Sequence, residues 1–247
     1  MLILALDLET SDLSPEKGKI LELAYVLKRV GEPRAWKMRT EFIYDKTWEP
    51  DFIPKEAQLI NGISTDNCRR FGVPLSGIAR EINFIIQTHK VDAICGHNLR
   101  GFDMPYLMHH IGGLSVDHWE NIKSCPIIDT MTDVEYPTQM KARNLVHLCA
   151  EHGFLNFQAH SALADVVATL RLLECYDVKQ VFERAKLPSS IYQAMTAYEA
   201  RDAAKNRGFR WQDLEGRTFL KSWVKRIKDC DLEKEVALLG YPIKKLS

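Results

Sequence analysis

The sequence predicts an α/β fold, a mixed β-sheet flanked by helices, followed by a small α+β module. Residues 2–8 (LILALDL) form a short apolar run, as expected of a central strand covered on both faces. Residues 20–30 (ILELAYVLKRV) and 38–44 (MRTEFIY) suit two further strands, with turns at Gly18 and over the Gly31–Pro33 stretch. Beyond them helical and strand-like patterns alternate, which suits a sheet of mixed direction.

Residues 54–61 and 76–89 have helical periodicity, 92–96 (DAICG) is a short strand, and a helix is predicted from about Met104. Residues 125–131 (CPIIDTM) suit a fifth strand, followed by a helix around 142–153 that ends at Gly153. A 3.6-residue stripe of Leu163, Val166, Val167, Leu170 and Leu173 marks a helix over 161–176, with Ser161 as its N-cap. The KLPSS stretch around Leu187–Ser190 interrupts the pattern. A boundary there separates a domain of residues 1–187 from a module of residues 188–247. The module is predicted to hold a strand near 191–197, a helix near 200–207, a hairpin over 209–226, a helix near 231–239 and a last strand near 242–246.

The chain of 247 residues is long enough for one large domain with a small appendage, and 46% hydrophobic with 27% charged residues is ordinary for a globular protein. No apolar stretch approaches the ~20 residues that span a bilayer. The apolar N-terminus lacks a basic flank and a cleavage site, so it reads as a core strand and not as a signal peptide. The formal net charge of zero neither supports nor excludes a nucleic-acid partner, because acidic ligands and basic phosphate contacts cancel in the total. The six cysteines are scattered, with no CxxC pair or zinc-like spacing. They read as reduced, mostly buried small hydrophobes of a cytoplasmic protein.

Three segments carry chemistry. In DLET, Asp7 and Glu9 lie two apart on a strand, so both carboxylates project from one face. Two anions so close repel unless one is protonated or a cation lies between them, and hard oxygens suit Mg²⁺ or Mn²⁺. By itself the pair is also what an ordinary solvent-facing strand end presents. In HNLRGFDMPYL (97–107), Asp103 follows a strand, at the edge where open α/β sheets collect ligands. A helix N-cap would explain that aspartate equally well. In HSALADVVAT (160–169), Asp165 lies in the first turns of an amphipathic helix and His160 just before it.

Together and in this order, Asp7, Glu9, Asp103, His160 and Asp165 resemble the DEDDh 3′–5′ exonucleases, a family that includes the proofreading subunit of bacterial replicative polymerase. The five-residue step from His160 to Asp165 marks the histidine subclass, and FIPKEAQLINGIS (52–64) resembles the family's link from its third strand to the next helix. The resemblance covers roughly residues 1–180 and implies a ribonuclease-H-like fold. It departs from the commonest second motif in having three residues, Leu99, Arg100 and Gly101, between Asn98 and the aromatic. That longer form, with Pro105 after the aspartate, looks like family branches that act on DNA.

The resemblance implies two divalent ions, Mg²⁺ or Mn²⁺, about 4 Å apart. Asp7 would bridge both, and Glu9 and Asp165 would complete the site of the attacking water. Asp103 would hold the second ion, and His160 would take the water's proton, a task suited to an imidazole. By position, Thr10 and Leu13 are candidates for the terminal sugar and base, and Asn98 and Phe102 for the strand path, although Phe102 equally suits the core. His97 reads as structural. His109, His110, His118, His147 and His152 show no ligand spacing.

Between Arg201 and Lys228 the module has nine basic and three acidic residues, a local balance of plus six, interleaved with Phe209, Trp211, Phe219 and Trp223. Cations for phosphates and rings for stacking are what a single-strand surface requires. The aromatics are equally what the core of a small module requires. Phe209 and Phe219 read as core, and Trp211 and Trp223 stay open between core and substrate contact. The expected partner is nucleic acid, preferably a DNA 3′ end, with a replication or repair protein as a further candidate and no membrane. The alternatives are an exoribonuclease trimming RNA 3′ ends and, in another class, a non-catalytic nucleic-acid-binding or replisome-docking subunit.

Overall fold

The computed structural model describes residues 1–49, 51–113, 119–140, 142–196, 199, 201–214 and 217–246, with side chains undescribed at 212–214 and 217–220. Five strands form the first sheet: β1 (Leu2–Thr10), β2 (Ile20–Arg29), β3 (Ala35–Phe42), β4 (Ala93–Gly96) and β5 (Ile127–Asp129), in the order β3-β2-β1-β4-β5. β1, β2 and β3 pair antiparallel, while β1, β4 and β5 run parallel. The helices are α1 (Lys55–Asn61), α2 (Thr65–Phe71), α3 (Leu75–His89), α4 (Asp103–Gly112), α5 (Glu120–Ser124), α6 (Leu145–Glu151), α7 (Ala162–Glu174) and α8 (Val178–Ala185). The expected strands and long helices are present to within a few residues. The short α2, α5 and α8, of seven, five and eight residues, are additions.

The alternation of β1 divides the core. Leu2, Leu4, Leu6 and Leu8 face a cluster that includes Ile78, Ile82, Tyr106 and Leu107 of α3 and α4. Ile3 and Ala5 face the opposite side, where Ala24, Ala93, Ala162 and Val166 are buried together. The small residues beneath α7 let that helix lie close to the sheet. On this same face the residues after Ala5 are Asp7 and Glu9, so an apolar floor becomes an acidic edge at the C-terminal end of β1.

The second sheet is antiparallel and consists of β6 (Ser189–Ala194), β7 (Arg210–Leu214), β8 (Arg217–Lys228) and β9 (Ile243–Lys245), in the order β7-β8-β6-β9, with α9 (Arg201–Asn206) and α10 (Leu232–Leu239). Its core contains Tyr192, Phe209, Ile227 and Leu239. Phe219 belongs to the residues whose side chains are not described. His118 likewise lies outside the described residues.

Ion pairs join this module to the first domain. Lys228 Nζ lies 3.0 Å from Asp133 Oδ1 with both side chains buried, Lys234 pairs with Glu135, and Arg184 with Asp231. Lys228 also donates to the carbonyls of Ala185 and Leu187. Lys228→Met is therefore expected to destabilise the chain by about 3 kcal/mol. That is the lower end for breaking a buried pair, because Arg100 still reaches Asp133. Urea unfolding checks this, and an unchanged midpoint would mean that the contact contributes nothing. No helix among the described residues is long and apolar enough to cross a membrane.

Candidate active site

Parallel pairing sets β1, β4 and β5 side by side, so their C-terminal ends share one edge of the sheet. Asp7 and Glu9 reach that edge from β1. Asp103 arrives from the loop after β4, as the first residue of α4. It is buried, and its Oδ1 accepts the Leu8 N–H at 3.0 Å. The aspartate is thus tied to the neighbouring strand and does not cap its own helix, which settles the alternative the sequence left open.

Asp165 comes from α7. Its Oδ1 accepts from Asn156 Nδ2 and its Oδ2 from the His160 main-chain N–H at 3.2 Å. His160 adopts the left-handed region, φ 68°. Ligand atoms of Glu9, His160 and Asp165 lie within 4.8 Å of one another. Asp7 stands beside them, close enough for the charges of Asp103, Asp165, Glu9 and Glu22 to act on it.

Burial, then this mutual repulsion, pushes the Asp7 carboxyl well above the usual carboxylate range. Burial, followed by the charges of Asp165, Glu22 and Asp103, lifts Glu9 to about 8. Asp103 is pushed up to about 8, chiefly by burial, although the Leu8 N–H and the charge of Arg210 pull the other way. Asp165 is raised by burial against the opposing bond from Asn156. A cluster that holds protons this strongly without a cation is a set of hard oxygen donors suited to divalent ions.

The remaining candidates divide. Thr10 donates its hydroxyl to the Asp12 carbonyl at 2.9 Å, and Leu13 is 84% exposed in the loop that follows β1. Tyr106 OH closes that loop by donating to the Asp12 and Ser14 carbonyls. It lies so close to Gly18 that a Cβ there would sit 1.9 Å from it. Asn98, left-handed with φ 63°, lines a cavity at the sheet edge together with Arg100, Gly101, Asp129 and Arg210. Phe102 packs partly against the core. Trp223 packs on the module's core, whereas Trp211, ring centroids 5.5 Å away, keeps 55% exposure. Of the nine basic residues between Arg201 and Lys228, Arg207 and Lys225 pair with Glu235 and Lys228 with Asp133, all buried or nearly so. Those three charges hold the module together and to the domain.

His97 is structural. Its ring bonds Thr130 Oγ1 at 2.9 Å and the Arg143 carbonyl at 2.7 Å, and burial lowers it to about 4. Asp129, missed in the sequence, is a buried acceptor for the N–H groups of Asn98, Arg100 and Met131, and shapes the loop that delivers Asp103.

Glu22 was also missed. It stands opposite Glu9 in the strand register, is buried, and accepts the Ala162 N–H at 2.9 Å and the Thr40 hydroxyl at 2.8 Å. Ser161 is the N-cap residue of α7, as expected, but its side chain makes no cap bond, and Glu22 satisfies the neighbouring N–H of Ala162. A carboxylate fixed on the sheet thereby anchors the helix that carries Asp165. An acidic residue in the otherwise apolar run ILELAYVL was the available signal. Glu22→Ala should destabilise the fold by about 1–3 kcal/mol, because it orphans a buried N–H, while Glu22→Gln should retain most stability. Thermal unfolding of the two variants checks this, and equal losses would show that the acceptor is not what matters.

Residues 4–173 match the family model RNase_T, an exonuclease, and residues 190–246 match a domain of unknown function, DUF8626. The first match spans most of the chain, and its motif residues converge at one sheet edge. The chain belongs to this exonuclease family. It is a 3′–5′ exonuclease of the DEDDh type with a ribonuclease-H-like fold. No curated protein matches it in sequence.

Among solved structures, the zinc-bound E. coli exonuclease I–single-stranded DNA complex aligns with TM-score 0.60 at 15% identity, covering 98% of this chain and 68% of that one. E. coli exonuclease I with a dA16 oligonucleotide aligns with TM-score 0.57 at 14% identity, covering 99% and 65%. The complex with dT13 gives TM-score 0.57 at 14% identity, covering 98% and 65%. The chain thus spans about two thirds of the length of the exonuclease I chains it matches. At this identity the likeness is one of fold, and it extends through the second sheet.

Proposed function

We propose that this chain is a divalent-metal-dependent exodeoxyribonuclease that removes nucleotides from DNA 3′ ends. The observation that carries the reading is the convergence of Asp7, Glu9, Asp103 and Asp165 on one edge, where burial and crowding raise their carboxyls above the usual range, with His160 beside Glu9 and Asp165. In this reading Asp7, Glu9 and Asp165 would hold an ion on the side of the attacking water, and Asp103 one on the side of the departing 3′ oxygen. Bound ions of this kind supply charge relief at a phosphate and make water acidic. His160 accepts the proton of the attacking water, and Asp165, bonded to its main chain, sets where it stands. Asn156 bonds Asp165 directly, and Glu22 anchors the start of its helix through the N–H of Ala162. Thr10, Leu13, Asn98 and Phe102 border the terminal nucleotides.

DNA is favoured over RNA by the longer second motif with Pro105 and by solved neighbours of the same fold that hold single-stranded DNA. We read residues 1–187 as the exonuclease domain and 188–247 as a docked module that guides the strand. Trp211 would offer a stacking face. Trp211→Ala should then weaken binding of longer single strands about tenfold, within the usual worth of one base–aromatic stack. Fluorescence anisotropy with labelled oligonucleotides measures it, and unchanged affinity would remove Trp211 from the surface.

The test of the whole reading is a time course on 5′-labelled single-stranded, blunt and mismatched DNA and on matched RNA, with Mg²⁺, Mn²⁺ or EDTA. Stepwise shortening of DNA that stops in EDTA is expected. Degradation of RNA alone would move the substrate to RNA, and shortening that continues in EDTA would end the metal-dependent reading.

A further inference from the structure

Arg210, the first residue of β7, extends from the module to the catalytic edge of the other domain. Its place is set closely on both sides. Gly208, at φ 80°, turns the chain where a Cβ would lie 3.8 Å from Arg143 Cβ and 3.9 Å from Met131 Sδ. Phe209 is buried in the module's core. Arg210 then pairs in register with Val224, and its guanidinium carbon lies 5.9 Å from the centroid of Phe102, the residue before Asp103. It lines a cavity of about 220 Å³ with Asn98, Arg100, Gly101 and Asp129.

Other cations at this interface are matched to carboxylates: Lys228 to Asp133, Lys234 to Glu135 and Arg184 to Asp231. Arg210 makes no ion pair within 4.0 Å among the described residues. It is nonetheless partly desolvated, and feels the charges of Asp103 and Asp129. A guanidinium withdrawn from water, aimed along an acidic rim and left without a carboxylate partner, has its donors open to an anion that enters later. In an exonuclease that anion is a backbone phosphate, which the planar fork binds through two N–H groups.

We propose that Arg210 is a substrate-positioning residue that the C-terminal module supplies to the exonuclease site, holding the phosphate one linkage upstream of the scissile bond. This rests on the exonuclease reading above. The choice of linkage follows from the chemistry. The departing 3′ oxygen belongs to the penultimate nucleotide, and Asp103 is the carboxylate assigned to its side. A cation just beyond Asp103, over Phe102, meets that nucleotide's own 5′ phosphate. The module thereby completes the site, and a strand that does not engage it is not aligned for cleavage.

The test compares the full-length wild type with Arg210→Met and Arg210→Gln on 5′-labelled DNA. Each substrate carries one neutral methylphosphonate at a chosen linkage among the four nearest the 3′ end. On unmodified DNA, Arg210→Met should lower kcat/KM about tenfold to a hundredfold, mostly through KM, with circular dichroism and Tm near wild type. In the wild type, a neutral linkage one step upstream of the scissile bond should cost about tenfold or more. In Arg210→Met the same replacement should cost less than about twofold, because the partner is already gone. Arg210→Gln carries the same comparison if the Met variant does not fold. Losses that multiply at every linkage, or coupling at a different linkage, would overturn the proposal. So would a loss of kcat/KM that tracks a fall in Tm, which would leave Arg210 a docking residue. Wild-type enzyme inactive on every substrate with Mg²⁺ or Mn²⁺ overturns the exonuclease reading and Arg210 with it. An active wild type with multiplicative losses overturns Arg210 alone.

Discussion

Asp7→Asn should lower turnover by about three orders of magnitude or more and, in the metal-free protein, raise the melting temperature. The activity loss follows from the place of Asp7 between the other carboxylates, where a neutral amide of the same shape lacks the charge that draws a divalent cation and binds it far more weakly. The gain in stability follows from the same crowding. Glu9, with an ordinary value of 4.5, and Asp103, with 3.8, are both lifted to about 8 in the folded chain. Between the ordinary values and about 8 the folded state therefore binds more protons than the unfolded state, and stability falls as pH rises through that window. Metal-free wild type should melt lower at about pH 8 than at about pH 5, and Mg²⁺ should reverse the loss at the higher pH by binding the folded state. In Asp7→Asn the fall with pH should be shallower. Differential scanning calorimetry at the two pH values, with and without Mg²⁺, and a turnover assay check all of this. Wild-type turnover in the variant, or stability that rises with pH without metal, would sink the reading of the cluster.

His160→Ala should lower turnover by roughly two to four orders of magnitude, the usual size of a general-base contribution, while leaving the Mg²⁺-induced rise in melting temperature in place. The second half matters because the ring lies within 4.8 Å of ligand atoms of Glu9 and Asp165, close enough to serve as a ligand itself. A base and a ligand differ in what their removal does to metal binding. His160 also sits at φ 68°, where alanine is strained, so His160→Asn, which tolerates that conformation, separates the lost ring from the strained backbone. Loss of the Mg²⁺ effect in both variants would make His160 a ligand, and near-normal turnover would assign the base elsewhere.

The five residues proposed for the site lie in local patterns that can be read without the fold: Asp7 and Glu9 two apart on a strand, Asp103 after a strand, and His160 and Asp165 at a helix start. The supporting residues were less legible. Asp129 acts through bonds to the loop after β4, which only the sheet brings near, and Asn156 reaches Asp165 across an irregular loop nine residues away that has no period to read. Glu22 showed itself as an acid in an apolar strand, but its partner, the N–H of Ala162, lies 140 residues away. Ser161 is the N-cap residue of α7 as expected, but its side chain makes no cap bond, and the carboxylate at the helix start comes from Glu22 through the N–H of Ala162.

The module shows the same division. Its strands and helices could be read from periodicity, and Phe209 was expected in the core, where it lies. Its charge was misleading, because a count of basic residues does not say which are neutralised. Arg207, Lys225 and Lys228 are held in ion pairs, one of them with a residue of the other domain.

The sequence by itself determined the order of most strands and helices and which carboxylates and histidine to propose for the site, since periodicity and motif spacing are properties of neighbours along the chain. Only the tertiary structure decided that Glu22 anchors the helix of Asp165, that Lys228 fastens the module through Asp133, and that Arg210 arrives beside Asp103 from more than a hundred residues away. Each depends on burial and on distance through space, and the parallel pairing of β1, β4 and β5 is what brings Asp7 and Asp103 to one edge of the sheet.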